Sequence, residues 1–398
     1  MNRKVKKEFA MRTPINSRRE GRLEMTRRSF WIAALVLLVI SCSYSPRENA
    51  VSMDSRQEVR LALIDQARWS MSAHNMQSWA ITLDKTDPLV FRVYLANERL
   101  LPATDPYSRQ VIMSVGGFLA LIEDSAAARG YQAEFSLFPE GELPEANSGD
   151  DFKLPLAEVK LSKSAASDDP DYLDAISSAT VKANLRKLAL SPETEASFLA
   201  LNNLQGIRMD FIQNQADLEK LKPILKEAFR LEMKHGPTLT ESYYLMRRNA
   251  RQIKAKPWGL SYGSGFPQQS LRAIEFFETL FPMKMEKWGV TGADNFDKEI
   301  DRAGTFLIIK TRANSRQDQI LAGMLFQKVW LKAIHEGFAI VPASQPLQEY
   351  AAMADLYAAI HETFAQPEET IQMIAWLGTP EGRFRPGFRI STENLLRQ

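Results

Sequence analysis

Several short stretches combine residue types at spacings that could do chemistry. Gly259-Leu260-Ser261-Tyr262-Gly263 has the G-x-S-x-G form of a hydrolase nucleophile elbow. That chemistry needs a strand before the serine and a helix after it, to lift the hydroxyl over an oxyanion hole. Lys256-Pro257 precedes the motif and Pro267 follows it, so the stretch reads as a glycine-rich loop. His335-Glu336 and His361-Glu362 have no second histidine at helical spacing, and the metalloprotease reading fails. Asp168, Asp169, Asp171 and Asp174 lack the central glycine and terminal glutamate of a calcium loop. They read as a solvated helix start, where the helix dipole favours acids. No catalytic side chain and no metal site is assigned from these stretches.

Ser72-Ala73-His74-Asn75-Met76-Gln77-Ser78-Trp79 is of another kind. Small residues and amides fill the space between a helical pattern and a strand that opens with tryptophan. Such a turn presents backbone N–H groups and side-chain amides to the polar edge of a ligand. It is equally the composition of an Asx-rich turn with no ligand at all.

The composition limits what these residues can serve. The 398 residues are 45% hydrophobic and 25% charged, the balance of a soluble globular protein and not of a polytopic membrane protein. One cysteine excludes a disulfide scaffold and a thiolate-built zinc site. The net charge of +2 is unevenly placed. Residues 1–41 carry 10 basic and 3 acidic side chains, leaving 40 basic against 45 acidic in the body. A mildly acidic body argues against nucleic acid.

The basic excess belongs to a leader. Thr26-Arg27-Arg28-Ser29-Phe30 precedes an apolar run, Trp31 to Ile40, which ends at Val39-Ile40-Ser41-Cys42. As a helix that run spans about 15 Å, half of a bilayer core, and suits a secretory h-region better than an anchor. Paired arginines ahead of it resemble a twin-arginine export signal. An aliphatic residue, two further residues and then the cysteine resemble a bacterial lipobox, with Cys42 acylated as the mature N-terminus. The expectation is a signal segment over 1–41, a tether over 42–55 and a lipid-anchored protein of the periplasm or cell envelope. Ser43 beside the anchor points to the outer membrane where the host has one.

The body must then position the turn. Helical periodicity runs over 57–69, 107–129, 193–204, 216–233, 317–336 and 347–365. Strand patterns cover 79–83, 89–95, 131–138, 207–212, 305–310, 338–341 and 371–377. An acidic, Gly- and Pro-containing stretch over 140–151 suggests a boundary near 150, giving halves at 56–150 and 151–398. Helix–Gly–strand recurs at Arg129-Gly130-Tyr131 and Glu336-Gly337-Phe338, so the halves read as variants of one α+β unit. Residues 243–269 read as irregular.

In this setting the Ser72–Trp79 stretch resembles the P-S-x-x-N-x-Q-P-W motif of the flavin-dependent nitroreductase family. It is most similar to the Acg-like branch, A-P-S-x-H-N-T-Q-P-W. Further segments agree in order: Asp105-Pro106-Tyr107-Ser108-Arg109, then Gly116 and Gly117; Ala322-Gly323; Gly337-Phe338; Pro342-Ala343-Ser344-Gln345-Pro346; and the tail to Arg389. Together they cover roughly 56–395. Met71 and Ser78 stand where the family has prolines, and the family's R-x-T-N-R stretch is present only as Lys182-Ala183-Asn184-Leu185-Arg186.

The resemblance implies an α+β fold, a mixed sheet flanked by helices, with two nitroreductase-like halves in one chain imitating the family's dimer. The chain is then expected to be a monomer with one non-covalent FMN between its halves. Ser72, Asn75 and Gln77 would come from the first half, and Pro342, Ser344 and Gln345 from the second. Lys182, Asn184, Arg186 and Arg389 would hold the phosphate. NAD(P)H would be the reductant and a small molecule the electron acceptor, with 243–269 as a lid. Two alternatives stay open: a flavin-sequestering or storage protein, and a degenerate lipid-anchored binding module.

Overall fold

A four-stranded and a five-stranded sheet, each wrapped on one long apolar helix, make the framework. The computed structural model describes residues 58–143, 153–166, 185–262, 268–382, 384 and 386–397. The leader with Cys42, the 42–55 tether, Lys182, Asn184 and the Asp168–Asp174 group lie outside the described residues.

In the first sheet, β1 (Trp79–Leu83) pairs antiparallel with β2 (Val90–Leu95), β2 with β4 (Ala157–Lys163), and β4 with β3 (Tyr131–Leu137). The order is β1-β2-β4-β3. β4 carries this sheet past the boundary expected near 150. Its alternation Ala157, Val159, Leu161 sets one face into the core. Between β2 and β3 lies α2 (Arg109–Ala128), which follows α1 (Val59–Ala67). α2 is long and apolar enough to cross a membrane, yet most of it is buried as the core helix of this layer. Trp79, wholly buried, packs on its Phe118 at 5.1 Å between ring centroids.

The second sheet contains β6 (Ile207–Ile212), β9 (Thr305–Thr311), β10 (Ala339–Pro342) and β11 (Thr370–Pro380), in the order β10-β11-β9-β6. Edge strand β5 (Leu185–Lys187) pairs with the end of β11. Its core helix is α9 (Arg316–His335), which starts from a capping box closed by Ser315 and Asp318. The connection strand–strand–helix–strand–strand, and the order in which those strands pair, are the same in both sheets. Arg109, Gly116 and Gly130 of the first set recur at identical spacing as Arg316, Gly323 and Gly337.

α2 and α9 cross at those glycines. A Cβ on Gly116 would overlap the carbonyl oxygen of Ile320, and one on Gly323 would overlap that of Met113. Ile320 and Met113 hold equivalent places in their helices, so the contact is reciprocal. This is why an apolar helix tolerates internal glycine: the missing side chain lets two backbones touch. Gly130 and Gly337, both at positive φ, end the two helices as anticipated.

Between β6 and β9 the chain inserts helices that the sequence pattern missed. After α3 (Pro192–Leu199) and α4 (Gln215–Glu232) come α5 (Gly236–Leu245), α6 (Ala250–Ala255), α7 (Gln268–Leu280) and α8 (Met285–Arg302). The expected irregular 243–269 stretch contains α6 and a parallel pair of two-residue strands, β7 (Met246–Arg247) and β8 (Leu260–Ser261). β8 takes in the serine of the G-x-S-x-G stretch. Gly259 before it has φ +103, and a Cβ there would overlap the Leu245 carbonyl. Close packing, not nucleophile geometry, accounts for that glycine. α10 (Ala354–Phe364) and the short α11 (Thr392–Leu395) complete the chain.

Candidate functional site

The turn before β1 is the most strained backbone described. His74, Asn75 and Gln77 all adopt positive φ, at 47, 54 and 51°. Left-handed conformations in non-glycine residues are uncommon and persist only where the surroundings hold them. The holding bonds are explicit. Ser72 Oγ accepts from the Gln77 backbone N–H at 2.7 Å, and Ser114 Oγ on α2 accepts from the Ala73 N–H at 3.0 Å. Asn75 Nδ2 donates to the carbonyls of Gly259 and Phe388, both at 3.2 Å, while the Gly259 N–H donates to the Asn75 carbonyl at 3.0 Å.

Gln77 is wholly buried. Its Nε2 donates to Pro257 O at 2.8 Å, and its Oε1 accepts from the Ile390 N–H at 2.8 Å. Arg389 donates through Nη1 to Asn75 Oδ1 at 3.0 Å and through Nη2 to the Trp69 and Ser70 carbonyls at 3.1 and 3.2 Å. One polar knot therefore ties the turn, the β8 segment and the C-terminal tail.

This knot borders a cavity of about 800 Å³, within the range of small-molecule and cofactor sites. Ser72, His74 and Asn75 line it from the turn, and Gln110, Met113 and Ser114 from α2. Pro342, Ser344 and Gln345 line it from the segment after β10, with Met373 and Trp376 of β11 behind them. Thus five of the expected residues, Ser72, Asn75, Pro342, Ser344 and Gln345, share one cavity, and Arg389 joins them on its wall. The far wall comes from the insert: Phe229, Met246, Tyr262, Phe277 and Trp288 among others.

Other expected residues lie elsewhere. Gln77 does not border the cavity; both ends of its amide are spent inside the knot. Arg186, on edge strand β5, is largely exposed, pairs with Glu381 at 3.3 Å and is not on the cavity wall. Arg389 is on the wall but its guanidinium already serves the turn, which alters its expected role. The lining cations are Arg389 with Lys298 and Arg302, one turn apart on α8. Sequence reading missed that pair because α8 itself was missed.

Several polar atoms at the cavity are buried with no partner among the described residues: Gln345 Oε1, Gln348 Oε1 and Ser242 Oγ. Buried polar groups in proteins are nearly always satisfied, so these atoms fit a polar ligand. Charge on the wall is also tuned. Burial raises the Glu299 carboxyl above its ordinary range, with Arg302 opposing. Burial, and then the charge of Glu278, push the Tyr262 phenol upward, so it stays neutral.

A second, smaller cavity of about 270 Å³ occupies the corresponding place on the other side of the helix pair. Leu201, Asn203 and Leu204 before β6 stand where the Ser72–Asn75 turn stands before β1. Phe135 and Leu137 replace Pro342 and Ser344, and Leu321 replaces Ser114. Lys328 and Glu123 pair at 2.7 Å on its wall.

No family model matches the chain, and no curated protein matches it. Among solved structures it is similar to an FMN-dependent nitroreductase from Mycobacterium smegmatis, in complex with NADPH, at 12% identity. The TM-score is 0.30, over 53% of this chain and 88% of that one. A nitroreductase with bound FMN from Bacteroides fragilis gives 13% identity and TM-score 0.28, over 52% and 86%. A nitroreductase-assigned protein from Anabaena variabilis gives 12% and 0.33, over 85% and 92%.

Proposed function

We propose that the large cavity binds FMN and that the chain is an exported oxidoreductase of nitroreductase type, taking electrons from NAD(P)H to a small-molecule acceptor. The observation that carries this reading is the meeting of the two family-like motifs. The Ser72–Asn75 turn and the Pro342–Gln345 segment, far apart in sequence, border the same cavity. The unpartnered Gln345 and Gln348 oxygens and the flat apolar walls of Met113, Met373 and Trp376 suit a ring that is polar at its edge and apolar on its faces.

Bound there, the flavin would supply two-electron redox chemistry between the nicotinamide and the acceptor. The chain's own share is to bind, orient and exclude water. The turn's N–H groups are largely spent in holding its shape, so Ser72, whose hydroxyl hydrogen can still donate, would meet the ring edge, with Pro342 and Ser344 opposite. Among the described residues Lys298 and Arg302 are the cations best placed for the phosphate, because they line the cavity and Arg186 does not.

The halves are read as related units whose two-fold partner sites have diverged. The shared strand order, the matched glycines and the reciprocal helix crossing support this. The leucine-lined second cavity, a third the size of the first, supports one flavin per chain. Export with acylation at Cys42 rests on the leader's motif, and mass spectrometry of the membrane fraction tests it.

A storage or sequestering role is the second reading. Gly259 and Pro257 bond directly to the turn, and Leu260, Ser261 and Tyr262 line the cavity, so this segment is placed to act as a lid. Anaerobic addition of NADPH to the flavin-loaded protein separates the two. The oxidoreductase reading expects loss of the oxidised-flavin absorbance and its return on adding a quinone or nitroaromatic. An unchanged spectrum favours storage.

A further inference from the structure

We propose that the corner formed by the end of α7, the turn after it and the end of α5 docks on a lipid bilayer beside the cavity mouth. The C-terminal end of α7 departs from the pattern of a water-facing helix. Such a helix turns its apolar stripe inward and its charges outward. In α7 Leu271 and Glu278 are buried, while Phe277 is 60% exposed, Leu280 52% and Phe281, just past the helix, 74%. The Phe281 N–H still donates to the Phe277 carbonyl at 2.7 Å, so the two rings follow one another on the same face.

This orientation is pinned. Glu278 accepts from the Met283 N–H at 3.3 Å and lies 3.8 Å from Arg248 Nε. Turning the phenylalanines inward would take this carboxylate out of its ion pair. Tyr244, 72% exposed, adjoins from α5, because Tyr243 Oη donates to the Met283 carbonyl at 2.7 Å and Asn249 of the next segment reaches Thr279 at 3.3 Å. Among the described residues seven large apolar side chains are exposed, and four of them gather here. Contiguous exposed apolar surface of this kind marks an interaction site.

Two observations favour lipid over a second copy of the chain. Phe277 lines the cavity and is exposed at the same time, so the patch and the cavity are continuous. The exposed Lys284 and Lys287 follow Phe281 with one exposed acid, Glu286, between them, leaving a net basic step beside the aromatic pair that suits anionic headgroups. An acyl chain on Cys42 would also keep the body at the surface, since the 43–57 stretch spans at most about 50 Å. The docked corner would let an apolar ligand pass from the bilayer into the cavity. That last step rests on the cavity being a binding site; the docking itself does not.

The lone cysteine makes a clean test. The full chain carrying Cys42→Ser and Phe281→Cys is labelled at its single thiol with an environment-sensitive fluorophore, and Leu199→Cys on α3 serves as the exposed control. With phosphatidylethanolamine–phosphatidylglycerol vesicles, the label at 281 is expected to shift blue and be quenched by brominated lipid, while the label at 199 is not. Adding Lys284→Glu and Lys287→Glu should weaken binding to anionic vesicles by about 30-fold or more. Equal responses at both positions, or none at 281, overturn the proposal. So does a concentration-dependent dimer without lipid that Leu280→Ser with Phe281→Ser abolishes, since the patch would then join two copies. Flavin binding, titrated on the parent chain, fails or succeeds independently of these outcomes.

Discussion

Asn75 shows how a residue expected to face a ligand can do structural work instead. Its type and place matched a ligand-facing amide, yet its side chain clasps Gly259, Phe388 and Arg389. What it gives the site is the shape of the turn. The phosphate question also sits at this scale. Charge-assisted bonds contribute about 1.5–3 kcal/mol each when buried, and less at an open mouth. Lys298→Ala or Arg302→Ala should therefore weaken FMN binding about tenfold and leave riboflavin nearly unaffected. Arg186→Ala should change neither in a paired titration. The reverse pattern would return the phosphate to the β5 stretch.

Asp105 gives a pH prediction. It is fully buried and accepts from the Gln110 and Val111 N–H groups at the start of α2. Burial raises its pKa to about 6, against the opposing pull of Arg109. A folded-state pKa above the unfolded value means the native state prefers the protonated form. The stabilisation is present below about pH 4 and is lost as pH rises through 6. Relative to Asp105→Asn, the parent should lose about 2 kcal/mol of unfolding free energy between pH 4 and 7.5. Denaturant melts at both pH values check this, and a loss in the opposite direction contradicts the assignment.

Among the elements, the α2–α9 crossing carries the most structural consequence. Gly116→Ala or Gly323→Ala would drive a methyl group into a carbonyl on the opposite helix, where neither backbone can give way cheaply. Overpacking a tight core costs about 1–3 kcal/mol, and backbone-to-backbone contact lies at the upper end or beyond. Each variant should melt clearly below the parent in calorimetry. Gly117→Ala should be milder, because a Cβ there meets the flexible Met71 side chain at 3.2 Å and the Gln327 amide at 3.3 Å.

Both core helices and most strands of the two sheets were legible from periodicity, because their buried faces repeat cleanly. α7 and α8 were not. α7 exposes phenylalanines and buries Glu278, and the 281–284 turn between the helices contains a proline, so no single apolar stripe marks the pair. β4 was hidden by the acidic loop before it, which looked like a boundary. Lys298 and Arg302 went unseen with α8, and no local spacing could have shown that Arg389 would be spent on backbone carbonyls.

At the scale of the whole molecule, two sheets of matching strand order stand beside unequal cavities. One side of the helix pair has a strained polar turn and a large cavity; the other has leucines and a small one. Inserted helices then wall the larger cavity with aromatic and methionine side chains. Unequal cavities on matched frameworks predict a fixed flavin count. The direct measurement is the FMN released by heat from purified protein, quantified by absorbance against chain concentration after incubation with excess FMN. One FMN per chain is the expected result. Two per chain would contradict the divergence of the second cavity, and none would contradict the flavin site itself.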